Sequence, residues 1–194
     1  MKDMRLTFEA DLTGLEIDDW FDRVETLSDD LGYFEPLGKA HCAAFLDAGP
    51  NLLVTFESAE YIRKFNARAE PRGFHYAQHE GWSHLAIISH ADSWFRDPAI
   101  YRYFDRLIDD GFFEDFDNVL FHGAHGGGYA AAAYSVAAPG CNVLAIRPQA
   151  TLDPRVAGWE TRYTDQRRKS FTDRYGYAPD MIDAANHAFI AFDP

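Results

Sequence analysis

The feature that most narrows the fold is a glycine turn between an apolar run and an alanine-rich stretch. It reads Asn118-Val-Leu-Phe-His122-Gly123-Ala124-His125-Gly126-Gly127-Gly128-Tyr129-Ala130-Ala131-Ala132-Ala133-Tyr134. A short apolar run bounded by glycine reads as a buried strand, and the small side chains after it allow a helix to press close to a sheet. Two nucleotide-binding patterns fail on spacing. The dinucleotide fingerprint is not met: Gly123 is followed two places on by His125, Gly126 and Gly128 lead to Ala131, and no ribose-binding acid follows the next apolar run, which ends at Arg147-Pro148-Gln149. A Walker loop needs Lys and Ser or Thr after Gly128, where this chain has Tyr129 and Ala130.

Further apolar runs lie at Leu52–Phe56, Leu85–Ile88, Val143–Ile146 and Ala188–Phe192. Such dense runs suit parallel strands covered on both faces. Helical stretches are expected at residues 16–31, 59–69, 98–110, 129–137 and 179–185, whereas 74–80, behind Pro71-Arg72-Gly73, reads as a loop. The alternation predicts a three-layer α/β fold, a mostly parallel twisted sheet flanked by helices, in one domain with residues 1–47 as a helical or irregular extension. In such sheets the residues just after each strand carry the chemistry.

Charge and cysteine usage remove several classes. With 18 basic and 31 acidic side chains the formal charge is −13, which disfavours a nucleic-acid partner. No apolar run reaches the roughly 18 residues that span a bilayer, so no membrane role is expected and a cytoplasmic location is the default. Cys42 and Cys141 are far apart and suggest neither a disulfide framework nor a zinc site. Eight histidines invite a metal, but no set of three converging ligands is apparent, so neither metal nor cofactor is expected. The partner expected is a small molecule, with room for a homo-oligomer.

A third glycine pattern fits better. Gly123-Ala124-His125-Gly126-Gly127 matches G-x-S-x-G, the nucleophile elbow, except that His125 stands where serine is needed. A purely structural glycine turn is the competing reading. With Asp92-Ser93-Trp94-Phe95 and Pro148-Gln149-Ala150-Thr151-Leu152-Asp153, the elbow makes residues 50–194 resemble the α/β-hydrolase superfamily, and more closely a bacterial group with a G-x-S-x-G-G-Y-A-A elbow. Members of that group sometimes carry the label phosphoadenosine phosphosulfate reductase, yet this chain has neither a Ser-Gly-Gly pyrophosphate loop nor a Glu-Cys-Gly-Leu-His segment. The resemblance implies nucleophile, acid and histidine in that chain order. His125 takes the first place and Asp193 the second, while no histidine follows before Pro194, which implies a hydrolase-like fold truncated at its C-terminus. An ordinary serine triad cannot be assembled from these positions.

If chemistry survives, His125 is the candidate nucleophile or acid–base, with Asp193 orienting a partner and the Gly126 and Gly127 N–H groups facing developing negative charge. The turn Gly123 to Gly128 is also a candidate ligand cradle, with Arg96, Arg147 and His122 as donors for an anion and Glu57 where the superfamily supplies its other oxyanion donor. Arg96 and Arg147 read equally well as structural or surface charge. Two functions stand side by side: a hydrolase-like protein with a degenerate elbow acting on or binding a small acyl, carbohydrate or anionic ligand, and a noncatalytic binding or scaffolding protein that has lost its triad.

Overall fold

The computed structural model describes residues 5–192. Its chain divides into two compact units: residues through Ala91 with Phe116–Asn118, and Asp92–Asp115 with Val119 onward.

The first unit runs α1 (Ile17–Leu31), β1 (Gly32–Leu37), β2 (His41–Leu46), β3 (Asn51–Ser58), α2 (Ala59–Phe65), α3 (Arg72–His79) and β4 (Ser83–Ser89). In α1, Trp20, Val24 and Leu27 recur at helical spacing and are all buried, while Asp18 and Asp19 sit in the first turn, where the helix dipole favours negative charge. The Trp20 indole donates to the Ala69 carbonyl at 2.7 Å, fastening the helix to the loop before α3. Strand order within this unit is β1-β2-β4-β3, with β1–β2 and β2–β4 antiparallel and β3–β4 parallel.

Three features of this unit differ from the sequence reading. The expected extension holds a hairpin as well as α1, because Gly38, at φ 71°, turns β1 back onto β2. Pro36 is tolerated because β1 lies at the end of this strand order. Residues 72–79, expected as a loop, are helical, with Phe74 and Ala77 buried on one face and Gly73 so close to the His84 ring that a Cβ there would collide with it. The helix expected over 59–69 stops at Phe65, beyond which Asn66 is extended.

The second unit runs α4 (Pro98–Asp109), β5 (Asn118–Ala124), α5 (Gly126–Tyr134), β6 (Asn142–Ile146), α6 (Pro154–Ala157), α7 (Ala178–Ile182) and β7 (His187–Ala191). Asp97 caps α4 by accepting from the Ala99 N–H at 2.8 Å, with Pro98 at the first helical position. Strands β5, β6 and β7 pair in parallel in that order. Helix α5 is apolar all round, and Tyr129 to Tyr134 are buried on every side. Strand β7 departs from expectation: all five of its residues are exposed, with Phe189 at 59%. It ends the order β5-β6-β7, so its apolar residues lack the cover that a central strand receives. The chain is thus α/β, with mostly parallel strand pairs and flanking helices.

Candidate functional site

Strand β5 and helix α5 meet at His125, whose backbone stands at φ 53°, ψ −118°. Side chains other than glycine rarely occupy such angles, and they persist only where surrounding structure over-determines them. Here the determinants are visible. The His125 N–H donates to the Ile146 carbonyl at 2.8 Å, and the His125 carbonyl accepts from the Tyr129 N–H at 3.0 Å. A Cβ on Gly123 would run into the Gly127 carbonyl, and one on Gly128 would stand 2.9 Å from the Ile146 carbonyl oxygen. One on Gly126 would approach the buried Trp94 indole at 3.3 Å. The glycines are therefore required by the close approach of strand, helix and indole. No side chain caps α5, so its first amides keep their donors, as helix N-termini do.

His125 is exposed and opens on a cleft of about 240 Å³. Arg147, Gln149, Arg162, Tyr163 and Phe192 share its wall. Arg147 follows β6 with φ at 49°, and its N–H donates to the Ala191 carbonyl at 2.6 Å. Trp94 and Phe95, which follow β4 in sequence, are also left-handed, at φ 54° and 55°. Left-handed backbone thus recurs just beyond strand ends, where the fold class places its chemistry. The His125 ring has no hydrogen-bond partner among the described residues.

Arg162 reaches the cleft from an irregular segment. Its Nε donates to the two Glu160 carboxylate oxygens at 3.0 and 3.1 Å, and its Nη2 donates to Oε2 at 2.5 Å. These charge-assisted bonds hold the Glu160 carboxyl far below the usual range, at about 2. The segment is tied down by Arg96, which donates to the Ser170 carbonyl at 2.8 Å and the Arg174 carbonyl at 2.6 Å and stacks over Tyr101 and Phe171. Tyr129 adds a bond to the Tyr175 carbonyl at 2.5 Å.

The expected site residues are thus distributed unevenly. His125, Gly123, Gly126, Gly127, Gly128 and Arg147 come together. Arg96 is buried and braces loop carbonyls instead of lining the cleft. His122 is buried on β5, where a carbonyl can only accept, so its Nδ1–H donates to Leu144 at 2.9 Å. Asp193 lies outside the described residues. Arg162, Gln149 and Tyr163 escaped the sequence reading. Gln149 alone had a signal, its place just after the β6 run.

Glu57 belongs to the first unit and lines a separate cleft of about 360 Å³ there. Its Oε1 accepts from the Thr55 hydroxyl at 2.7 Å, and that hydroxyl, having spent its proton, accepts from His84 Nε2–H at 2.8 Å. Burial pushes the Glu57 carboxyl up, against the Thr55 bond, and drives fully buried His84 down to about 3, so its ring is neutral.

No protein-family model matches the chain, and no curated protein matches it in sequence. Among solved structures it is similar to a protein of the glycosylation-associated Gap123 complex from Streptococcus agalactiae, at 14% identity and a TM-score of 0.51, over 78% of this chain and 33% of that one. The likeness is one of fold. The chain spans a third of that protein's length. Weaker overlaps join it to an esterase of Pyrobaculum calidifontis (14% identity, TM-score 0.41, 96% of this chain and 76% of that) and to an α/β hydrolase from the metagenome of Lake Arreo (16% identity, TM-score 0.38, 92% and 82%).

Proposed function

We propose that this chain is an α/β-hydrolase-like protein with a degenerate nucleophile elbow, acting on or binding a small acyl, carbohydrate or anionic ligand at the strand ends of its second unit. The observation that supports this reading is the strained backbone of His125 at a strand-to-helix corner open to a cleft. Elbows of the G-x-S-x-G type hold their nucleophile on such a corner.

Histidine in that place changes what is needed around it. A serine hydroxyl must lose its proton to a base before it attacks, whereas a neutral imidazole already carries a nucleophilic lone pair. His125 therefore attacks an acyl carbonyl without a second histidine, and the unspent amides at the start of α5, Gly126 and Gly127, face the oxygen on which negative charge grows. Attack forms a nitrogen–carbon bond and expels the leaving group with its electron pair; water then cleaves the acyl-imidazole. The second reading, a noncatalytic binding protein, draws support from the His125 ring, which has no orienting partner among the described residues.

Hydrolysis of p-nitrophenyl acetate by the intact chain and by His125→Ser and His125→Ala separates the two. Catalysis by His125 requires turnover in the parent chain and its loss in both variants, and strong labelling by a fluorophosphonate would place the nucleophile elsewhere. Turnover that is equal in all three chains contradicts the catalytic reading.

A further inference from the structure

We propose that the first unit carries a ligand site of its own, independent of the corner at His125: the cleft beside the end of β3, walled by Glu57, Glu70, Arg68, Arg72 and the rings of Tyr61 and Phe65, takes a neutral polyhydroxyl ligand, a saccharide.

The decisive residue is Glu70. It is 3% exposed yet lines this cleft of about 360 Å³, and its Oε2 accepts no hydrogen bond among the described residues. A buried carboxylate oxygen left in that state carries a desolvation cost that a ligand donor removes. Charge is not what it lacks. The Arg68 Nε stands 3.7 Å from that oxygen, close enough to offset its charge and too far to bond it. Burial accordingly pushes the Glu70 carboxyl up, while the Arg68 charge pulls it back. A hydroxyl suits such a pair, because it donates to the carboxylate and accepts from the guanidinium, whereas a cation would meet Arg68 as a like charge.

Glu57 adds a second acceptor. Its Oε1 takes the Thr55 hydroxyl at 2.7 Å and the Arg72 backbone N–H at 3.2 Å, while Oε2 has only a longer bond from that same N–H at 3.3 Å and keeps room for a donor. Two carboxylates and two guanidiniums balance on the wall, which favours a ligand without net charge. Tyr61 and Phe65, four residues apart on α2, lie with ring centroids 4.6 Å apart and are 44% and 62% exposed. The Lys64 ammonium stands 5.2 Å over one face of Phe65. Exposed rings of this kind offer an apolar surface to the C–H face of a sugar.

The wall is firmly built. The Arg68 N–H donates to Asn66 Oδ1 at 2.9 Å, and Ala69, at φ 51° with its carbonyl taken by the Trp20 indole, sets the direction in which Glu70 leaves the chain. No three His, Cys, Asp or Glu side chains converge for a metal ion among the described residues. The volume lies within the range of small-molecule sites, about 300–1,000 Å³.

The test is titration of the intact chain with D-glucose, D-galactose, N-acetyl-D-glucosamine and maltose, set against glycine and tetramethylammonium chloride, and read by calorimetry and by the imidazole resonances of His75, which lines the same cleft. Saturable binding of at least one saccharide is expected, with movement of the His75 resonances. Glu70→Gln should weaken it about fivefold or more, since a carboxylate holds a hydroxyl roughly twice as strongly as a neutral amide does. Phe65→Ala, at an exposed position whose loss leaves the core intact, should weaken it about threefold or more. His125→Ala should leave it unchanged. Absence of saturable binding by all four saccharides, binding unchanged in both Glu70→Gln and Phe65→Ala, or a preference for glycine or tetramethylammonium overturns the proposal. Saccharide binding that is lost in His125→Ala and kept in Glu70→Gln would also overturn it, while leaving the reading of the corner standing.

Discussion

The N–H of His125 donates to the carbonyl of Ile146 at 2.8 Å, so the last residue of β6 pins the corner at the end of β5. That bond, the glycine contacts beneath it and the Trp94 indole beside Gly126 fix residue 125 from three directions. Each contact gives a separate way to disturb the site.

Gly123→Ala should destabilise the chain by at least about 1–3 kcal/mol, because the new methyl meets a backbone carbonyl that no rotamer change can move. At Gly126 the obstacle is the face of the Trp94 indole at 3.3 Å, which can shift by a few tenths of an ångström, so Gly126→Ala should cost less. Urea unfolding midpoints of the two variants check the order, and equal or reversed costs would argue against the packing described.

Arg96→Ala should loosen the segment that carries Arg162. It removes two charge-assisted bonds, to the carbonyls of Ser170 and Arg174, worth about 1.5–3 kcal/mol each. Limited proteolysis should show faster cleavage within residues 158–177, and hydrogen exchange should rise there first. Unchanged protection would mean that other contacts hold the segment.

Stability should depend on pH through His84. Its folded pKa, about 3, lies below the ordinary value of 6.5, so the unfolded chain takes up a proton first as pH falls. The contribution is therefore complete above about pH 6.5 and lost progressively from there toward pH 3, at about 1.4 kcal/mol per pH unit. Glu57, linked to His84 through Thr55, acts with the opposite sign: its raised folded pKa stabilises the chain as pH falls. Comparing His84→Gln with the parent chain isolates the histidine. The variant should lose the difference in acid stability, and parallel pH profiles would contradict a neutral, buried His84.

The elements legible in the sequence are those with dense apolar runs and clear punctuation. Strands β3, β4, β5 and β6 begin or end within a few residues of where their runs lie, and the glycine turn falls between β5 and α5 as its spacing requires. The hairpin of β1 and β2 was harder to see. Strand β1 is half exposed and contains Pro36, while β2 offers two alanines in place of β-branched residues, so only Gly38 marked the turn. Arg162 was illegible for a different reason. It lies in a stretch with no period, held by bonds to carbonyls, and carbonyls are the same for every residue type. Arg96 shows the converse: its position after β4 suggested a ligand, and burial against loop carbonyls gives it another task.

The corner itself is tested most directly by the thermal midpoints of His125→Gly and His125→Ala. A residue at φ 53°, ψ −118° stores about 1–3 kcal/mol that glycine releases and alanine does not, against about 0.5–1 kcal/mol of added chain entropy in the unfolded state. The glycine variant should melt a few degrees above the parent chain and the alanine variant should not. A glycine variant that melts at or below the alanine variant would contradict the strained corner on which the proposed site is built.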